Sequence, residues 1–131
     1  METRWLYVTS EELEQLRDQV GGVCVIPIGC VEAHGIHLPL GCDTMIAEAF
    51  CTRAAEIAPV TVFPAMYFGE KSGAGEFPGT IVLPTTLILD LLEACCKEIY
   101  RNGFKMLLHF LLRSGDLFLQ FPGGHTQNTC P

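Results

Sequence analysis

Two carboxylates and two imidazoles crowd one short stretch of this chain: Glu32, His34, His37 and Asp43 all fall between Gly29 and Thr44. Oxygen and imidazole donors together are the ligand set of Zn, Mn and Fe. Glu32 and His34 are two residues apart, so on an extended segment both side chains point the same way, toward a common ion. Asp43 stands at the start of a predicted helix, placed to return to the same point, and a carboxylate there has two oxygens with which to bridge two ions. Two ions held in this way make a bound hydroxide nucleophilic near neutral pH and polarise an amide carbonyl. Taken singly, Glu32 and Asp43 read as capping or solvated charges, and His34 and His37 as loop histidines. Taken together, between glycines and directly after an apolar run, they point to a divalent metal centre. Cys30 and Cys42 flank the same stretch and offer soft donors, although small apolar packing is the role expected of them.

The elements that must position these donors show in the apolar pattern. Residues 23–28 form an unbroken apolar run that reads as a buried strand, and its carboxyl end is where α/β enzymes place their sites. Ahead of it, Thr9 and Glu12 form a capping box for a helix with Leu13, Leu16 and Val20 on one face, and Gly21-Gly22 stops that helix. Asp43 or Thr44 is expected to cap a second helix running to about Ile57. A second apolar strand is predicted over 60–68. The glycine-rich segment 69–80 allows close backbone approach to a ligand, but its composition favours a surface loop. A short strand is expected at 81–83. Thr85 or Thr86 opens a helix with Ile88, Leu91, Leu92, Cys95 and Ile99 on one face, and Gly103 suits its C′ position. A third core strand begins at Phe104, with His109 inside it as a hydrogen-bonded core histidine. Apolar strands without alternation, separated by helices, indicate a parallel sheet covered on both faces.

Composition sets outer bounds. A chain of 131 residues suits one small domain, here with a recognisable core over 1–112 and a divergent tail over 113–131. A net charge of −7, with no basic cluster, argues against nucleic acid as a partner. No apolar run is long enough to span a bilayer. Seven cysteines without a signal peptide or a C-x-x-C pair suggest reduced thiols in a cytoplasmic protein. Hydrophobic residues make up 49% of the chain, enough that part of the surface is expected to meet another subunit as a homo-oligomer. The sheet has no closing helix after its last strand, so the sequence is expected to be cut short or altered at its carboxyl end.

Three segments resemble the creatininase (creatinine amidohydrolase) family. The stretch Gly29-Cys30-Val31-Glu32-Ala33-His34-Gly35-Ile36-His37-Leu38-Pro39-Leu40-Gly41-Cys42-Asp43 is similar to that family's G-S-x-E-Q-H-G-x-H-L-P-L-x-T-D. Phe77-Pro78-Gly79-Thr80-Ile81 resembles its F-P-G-T-I segment, and Asn102-Gly103-Phe104-Lys105 its N-G-F-K run. The resemblance implies an α/β fold, a three-layer α/β/α sandwich with a mostly parallel sheet, often assembled into hexamers. It also implies hydrolysis of a C–N bond in a cyclic or linear amide by a metal-activated water, with two divalent ions (Zn, Mn or Fe). On the matching positions Glu32 serves one ion, His34 the other and Asp43 both, while His37 lies near the site.

This chain departs from the pattern in places that matter. Ala33 stands where the family has glutamine, and Cys30 where it has a small polar residue. After Leu108 the family's histidine-containing N-G-H-G-G-N segment is replaced by His109-Phe110-Leu111-Leu112-Arg113. A degraded echo, Gly123-Gly124-His125-Thr126-Gln127-Asn128, follows later and makes His125 a candidate for the substitute metal ligand. Two readings follow from the resemblance. One is a metal-dependent amidohydrolase acting on a small-molecule amide. The other is a catalytically inactive remnant serving as a metal-binding or subunit-interaction module.

Overall fold

A computed structural model describes residues 2–69, 75–111, 117–120 and 126–128. A short 3-10 helix, Trp5–Tyr7, precedes α1 (Ser10–Gln19), β1 (Val23–Ile28), α2 (Cys42–Ala54), β2 (Thr61–Val62), α3 (Thr85–Arg101), β3 (Met106–Leu111), β4 (Leu117–Gln120) and β5 (Thr126–Asn128). The strand order is β2-β1-β3-β4-β5. β1 runs parallel to both β2 and β3, and the β3–β4 and β4–β5 pairs are antiparallel. The parallel centre of the sheet is therefore as expected, and the apolar stretch after residue 116 adds strands of opposite sense.

The period of two along each strand divides the core into two layers. Cys24, Ile26 and Ile28 of β1 and Leu107 of β3 face one side, where Leu16 and Val20 at the end of α1, Cys96 and Ile99 of α3, and Phe104 cover them. Val25 faces the other side, with Cys51 of α2, Ala55, Val60 and Val62, and Leu108 and Phe110 pack against that group. The sheet thus lies between α1 and α3 on one face and α2 on the other. Ile99 and Leu107 are fully buried and Phe104 is 2% exposed. Each such side chain contributes about 1.5–3 kcal/mol of transfer free energy.

Local signals explain where the elements begin and end. The capping box forms as expected: Thr9 Oγ1 accepts from the Glu12 N–H at 3.3 Å, and the Thr9 N–H donates to Glu12 Oε2 at 2.8 Å. Gly21 and Gly22 adopt φ of 64° and 77°, a region that L side chains rarely enter, so α1 must stop there.

Several expectations need correction. The second strand keeps only Thr61–Val62 as a ladder. Residues beyond it still track β1, with Phe63 N–H donating to the Val25 carbonyl at 2.8 Å and Met66 N–H to that of Pro27 at 2.8 Å. Pro64 has no N–H to continue the ladder between them. Residues 81–83 make no strand; Ile81 gives one bond, 3.0 Å, to the Val31 carbonyl. α2 begins at Cys42 behind Gly41, without a side-chain cap, so Asp43 sits in its first turn and neither it nor Thr44 is the cap. On α3, Cys96 rather than Cys95 is buried in the core, and Leu91 is 48% exposed. Leu92 and Ile99 stay on the expected face, and the seam between them runs through Cys96, four residues after Leu92, in place of Cys95.

Candidate metal centre

The site forms where β1 ends and α2 begins. Gly29 makes this junction possible: a Cβ there would lie 2.3 Å from Thr44 N and 2.4 Å from Thr44 Cα, so only glycine lets the strand end pass so close to the first turn of α2. Gly29 N–H donates to the Met66 carbonyl at 2.9 Å, and Gly69 N–H to the Gly29 carbonyl at 2.7 Å, which fixes the strand end from the opposite side. The loop then doubles back on itself, with Glu32 N–H donating to the Leu40 carbonyl at 2.9 Å.

Within this frame Glu32, His34 and Asp43 converge. His34 Nε2 is 3.0 Å from Asp43 Oδ1 and 3.6 Å from Glu32 Oε1. The Glu32 residue is buried, at 6% exposure. His34 Nδ1 lies 3.0 Å from the Glu32 carbonyl oxygen. A carbonyl only accepts, so Nδ1 is the donor in this bond, and Nε2 is the nitrogen turned toward the two carboxylates. Imidazoles that bind metals hold their second nitrogen in this manner. The imidazole and the two carboxylates meet in a partly buried space, and this donor set fits a divalent metal ion.

Cys30 and Cys42 are buried, as expected of packing residues, yet both sulfurs face the carboxylates. Cys30 Sγ is 3.2 Å from Asp43 Oδ2 and 3.9 Å from Glu32 Oε1, and Cys42 Sγ is 3.7 Å from Asp43 Oδ1. Burial pushes the Cys42 thiol above its ordinary pKa, and the neighbouring Asp43 carboxylate adds to the shift. Two trios of donors result, Cys30–Glu32–Asp43 and His34–Cys42–Asp43, the ligand atoms of each lying within 4.8 Å of one another.

The other candidates fall elsewhere. His37 is exposed on the loop. His109 is buried, and its Nε2 meets Cys96 Sγ at 3.6 Å on the α3 side of the sheet, as the core reading expects. His125 lies outside the described residues. Thr80 is a site-positioning residue that pattern reading passed over. Its Oγ1 accepts from the Ala33 N–H at 3.0 Å and so ties the glycine-rich segment to the middle of the donor loop. Its place inside Phe77-Pro78-Gly79-Thr80-Ile81 was the available signal.

Known proteins share both the sequence and this architecture. Residues 7–111 match the family Creatininase, described as creatinine amidohydrolase. The chain is 31% identical over 91 residues to a creatinine amidohydrolase of Pseudomonas putida, covering 66% of this chain and 35% of that protein. It is 34% identical over 113 residues to a mycofactocin precursor peptide peptidase of Mycolicibacterium smegmatis, covering 82% of this chain and 42% of that protein. Among solved structures, a zinc–zinc form of a mutant creatininase superposes with a TM-score of 0.80 at 27% identity, over 86% of this chain and 45% of its own. A manganese creatininase gives 0.77 at 26% identity, over 85% and 45%. The chain thus spans less than half the length of these relatives. With the family match running from Tyr7 to Leu111, across the donor loop and all three parallel strands, the chain belongs to the creatininase family.

Proposed function

We propose that this chain carries the metal centre of a creatininase-type amidohydrolase, which hydrolyses a C–N bond of a cyclic or linear small-molecule amide. Glu32, His34 and Asp43 are the residues that would hold two divalent ions (Zn, Mn or Fe), Glu32 serving one, His34 the other and Asp43 both. Bound there, such ions supply Lewis acidity, which lowers the pKa of water and polarises an amide carbonyl. The chain's own residues prepare the site for this. The bond from His34 Nδ1–H to the Glu32 carbonyl fixes the ring so that Nε2 is available at one orientation. Burial of Glu32 removes competing water and strengthens its attraction for a cation. Placement of Asp43 in the first turn of α2 gives its carboxylate a rigid support. Thr80 anchors Ala33, midway between Glu32 and His34.

The observation that carries the proposal is the meeting of His34 Nε2 with Asp43 Oδ1 at 3.0 Å and Glu32 Oε1 at 3.6 Å. It is supported by the zinc and manganese forms of the similar structures. The test is an assay of cyclic and linear amides with added Mn²⁺ or Zn²⁺. Metal-dependent turnover that is lost in Asp43→Ala is expected; turnover indifferent to metal or to Asp43 would refute the proposal.

A second reading, a subunit-interaction module, is favoured by one observation. Leu87 and Leu91, one turn apart on the same face of α3, are 52% and 48% exposed. An exposed apolar pair of this kind suits burial against another copy of the chain. Association through this face is compatible with a metal centre, and the amide assay separates an active chain from a catalytically inactive remnant. No helix among the described residues is long and apolar enough to cross a membrane.

A further inference from the structure

Among the described residues, the proposed pairs Glu32 with Asp43, and His34 with Asp43, give each of two ions two protein donors, whereas three or more are usual. The geometry brings one further donor to each pair. From the two overlapping trios we infer that Cys30 and Cys42 are metal ligands, Cys30 completing the Glu32–Asp43 ion and Cys42 completing the His34–Asp43 ion, so that the centre selects thiophilic Zn²⁺ or Cd²⁺ over Mn²⁺. The inference rests on the proposed metal centre and deepens it.

Three observations carry it. First, the spacing fits. A tetrahedral ion with bonds of about 2.3 Å to sulfur and about 2.0 Å to oxygen sets neighbouring sulfur and oxygen ligands about 3.5 Å apart. Cys30 Sγ stands 3.2 Å from Asp43 Oδ2, and Cys42 Sγ stands 3.7 Å from Asp43 Oδ1. Second, each sulfur approaches a different oxygen of Asp43, as ligands of two ions bridged by one carboxylate would. Third, the thiols are buried at 4% and 7% exposure with their sulfurs turned toward carboxylates. A cysteine that serves only to fill apolar space is better placed against hydrocarbon, as Cys51 is beside Val25 and Ala55. Thiolate donors favour zinc and its heavier analogues over manganese, whose preferred ligands are oxygens.

Cobalt(II) titration of the full chain under reducing conditions tests this without reference to activity. Thiolate ligation gives an intense near-ultraviolet sulfur-to-cobalt charge-transfer band, whereas oxygen and nitrogen ligands alone give only weak visible bands. The wild-type chain is expected to show the charge-transfer band. The Cys30→Ser, Cys42→Ser chain is expected to bind cobalt with the visible bands only, and each single substitution to remove part of the charge-transfer intensity. The Cd²⁺-over-Mn²⁺ preference of the double variant should fall by at least about tenfold, the lower edge of the loss when even an outer-shell partner is removed. Cobalt bound without the band in the wild type, or a band that survives the double substitution, overturns thiol ligation and leaves the Glu32–His34–Asp43 centre standing. No cobalt binding by the wild type, with Asp43→Ala indistinguishable from it, overturns the centre and this inference together. Should the double variant fail to fold by circular dichroism, cadmium NMR of the wild-type chain reads sulfur coordination directly, and an oxygen-range shift refutes the inference.

Discussion

The imidazole of His34 and the carboxylate of Asp43 meet at 3.0 Å although they belong to different elements, one to the loop after β1 and the other to the first turn of α2. The contact exists because each partner is held from behind. His34 is held by the Glu32 carbonyl, and Asp43 by a helix that packs against the strand end at Gly29. The pairing is thus a property of the β1–α2 junction, and it sets what each substitution there should do.

Loss of Asp43 removes the donor shared by both trios. Zinc at a free concentration of 100 times its Kd should stabilise the wild-type chain by about 2.7 kcal/mol. Asp43→Ala should show no such gain, and a chelator should abolish it in the wild type. Thermal unfolding with and without Zn²⁺ checks this.

Gly29→Ala tests the junction itself. The added methyl would overlap Thr44 backbone and side chain at 2.3–2.5 Å. Strand end and helix must separate, at a cost on the order of 1–3 kcal/mol or more, and Asp43 moves with the helix. Denaturant unfolding should report the destabilisation, and zinc calorimetry a parallel loss of affinity. Wild-type stability and affinity in this variant would mean that the close approach is not required.

Much of this arrangement was legible in the sequence, for identifiable reasons. β1 announces itself because a strand buried on both faces is apolar throughout, and Thr9 with Glu12 marks the start of α1 because both partners of the capping box lie within four residues. Glu32, His34 and Asp43 could be grouped from spacing and family resemblance. The length of β2 could not be read, because a ladder depends on which N–H groups meet a partner, and Pro64 interrupts it within an apolar run. The orientation of Cys30 and Cys42 was also hidden. A buried thiol facing carboxylates and one facing hydrocarbon have the same composition, and only the turn between β1 and α2 distinguishes them. Thr80 lies far from Ala33 in sequence, so its bond appears only once the chain is folded.

His109 should make stability depend on pH. Burial holds its pKa below the ordinary 6.5, because charging the ring inside the core costs desolvation energy. The unfolded chain therefore binds the proton more readily. Its contribution to stability is intact above about pH 6.5 and is lost as pH falls toward the lowered folded value. Replacing the ring in His109→Phe should flatten that acid-side decline in denaturant midpoints measured across this range; an unchanged slope would show that other groups set it.

The exposed leucines of α3 should govern association. Leu87→Glu with Leu91→Glu places charge on the exposed face that these two leucines share and leaves the core residues Ile88 and Ile99 intact. The wild-type chain should self-associate at micromolar concentration in light scattering, and the double variant should shift toward monomer with an unchanged circular dichroism spectrum. A monomeric wild type would refute this role.

The central claim is that Glu32, His34 and Asp43 form a metal centre, and the most direct measurement is metal content. Elemental mass spectrometry of the chain after equilibration with Zn²⁺ and removal of free metal should find about two ions per chain, as a two-ion site requires. Asp43→Ala should retain far less. A wild-type chain that emerges with no bound metal would contradict the account.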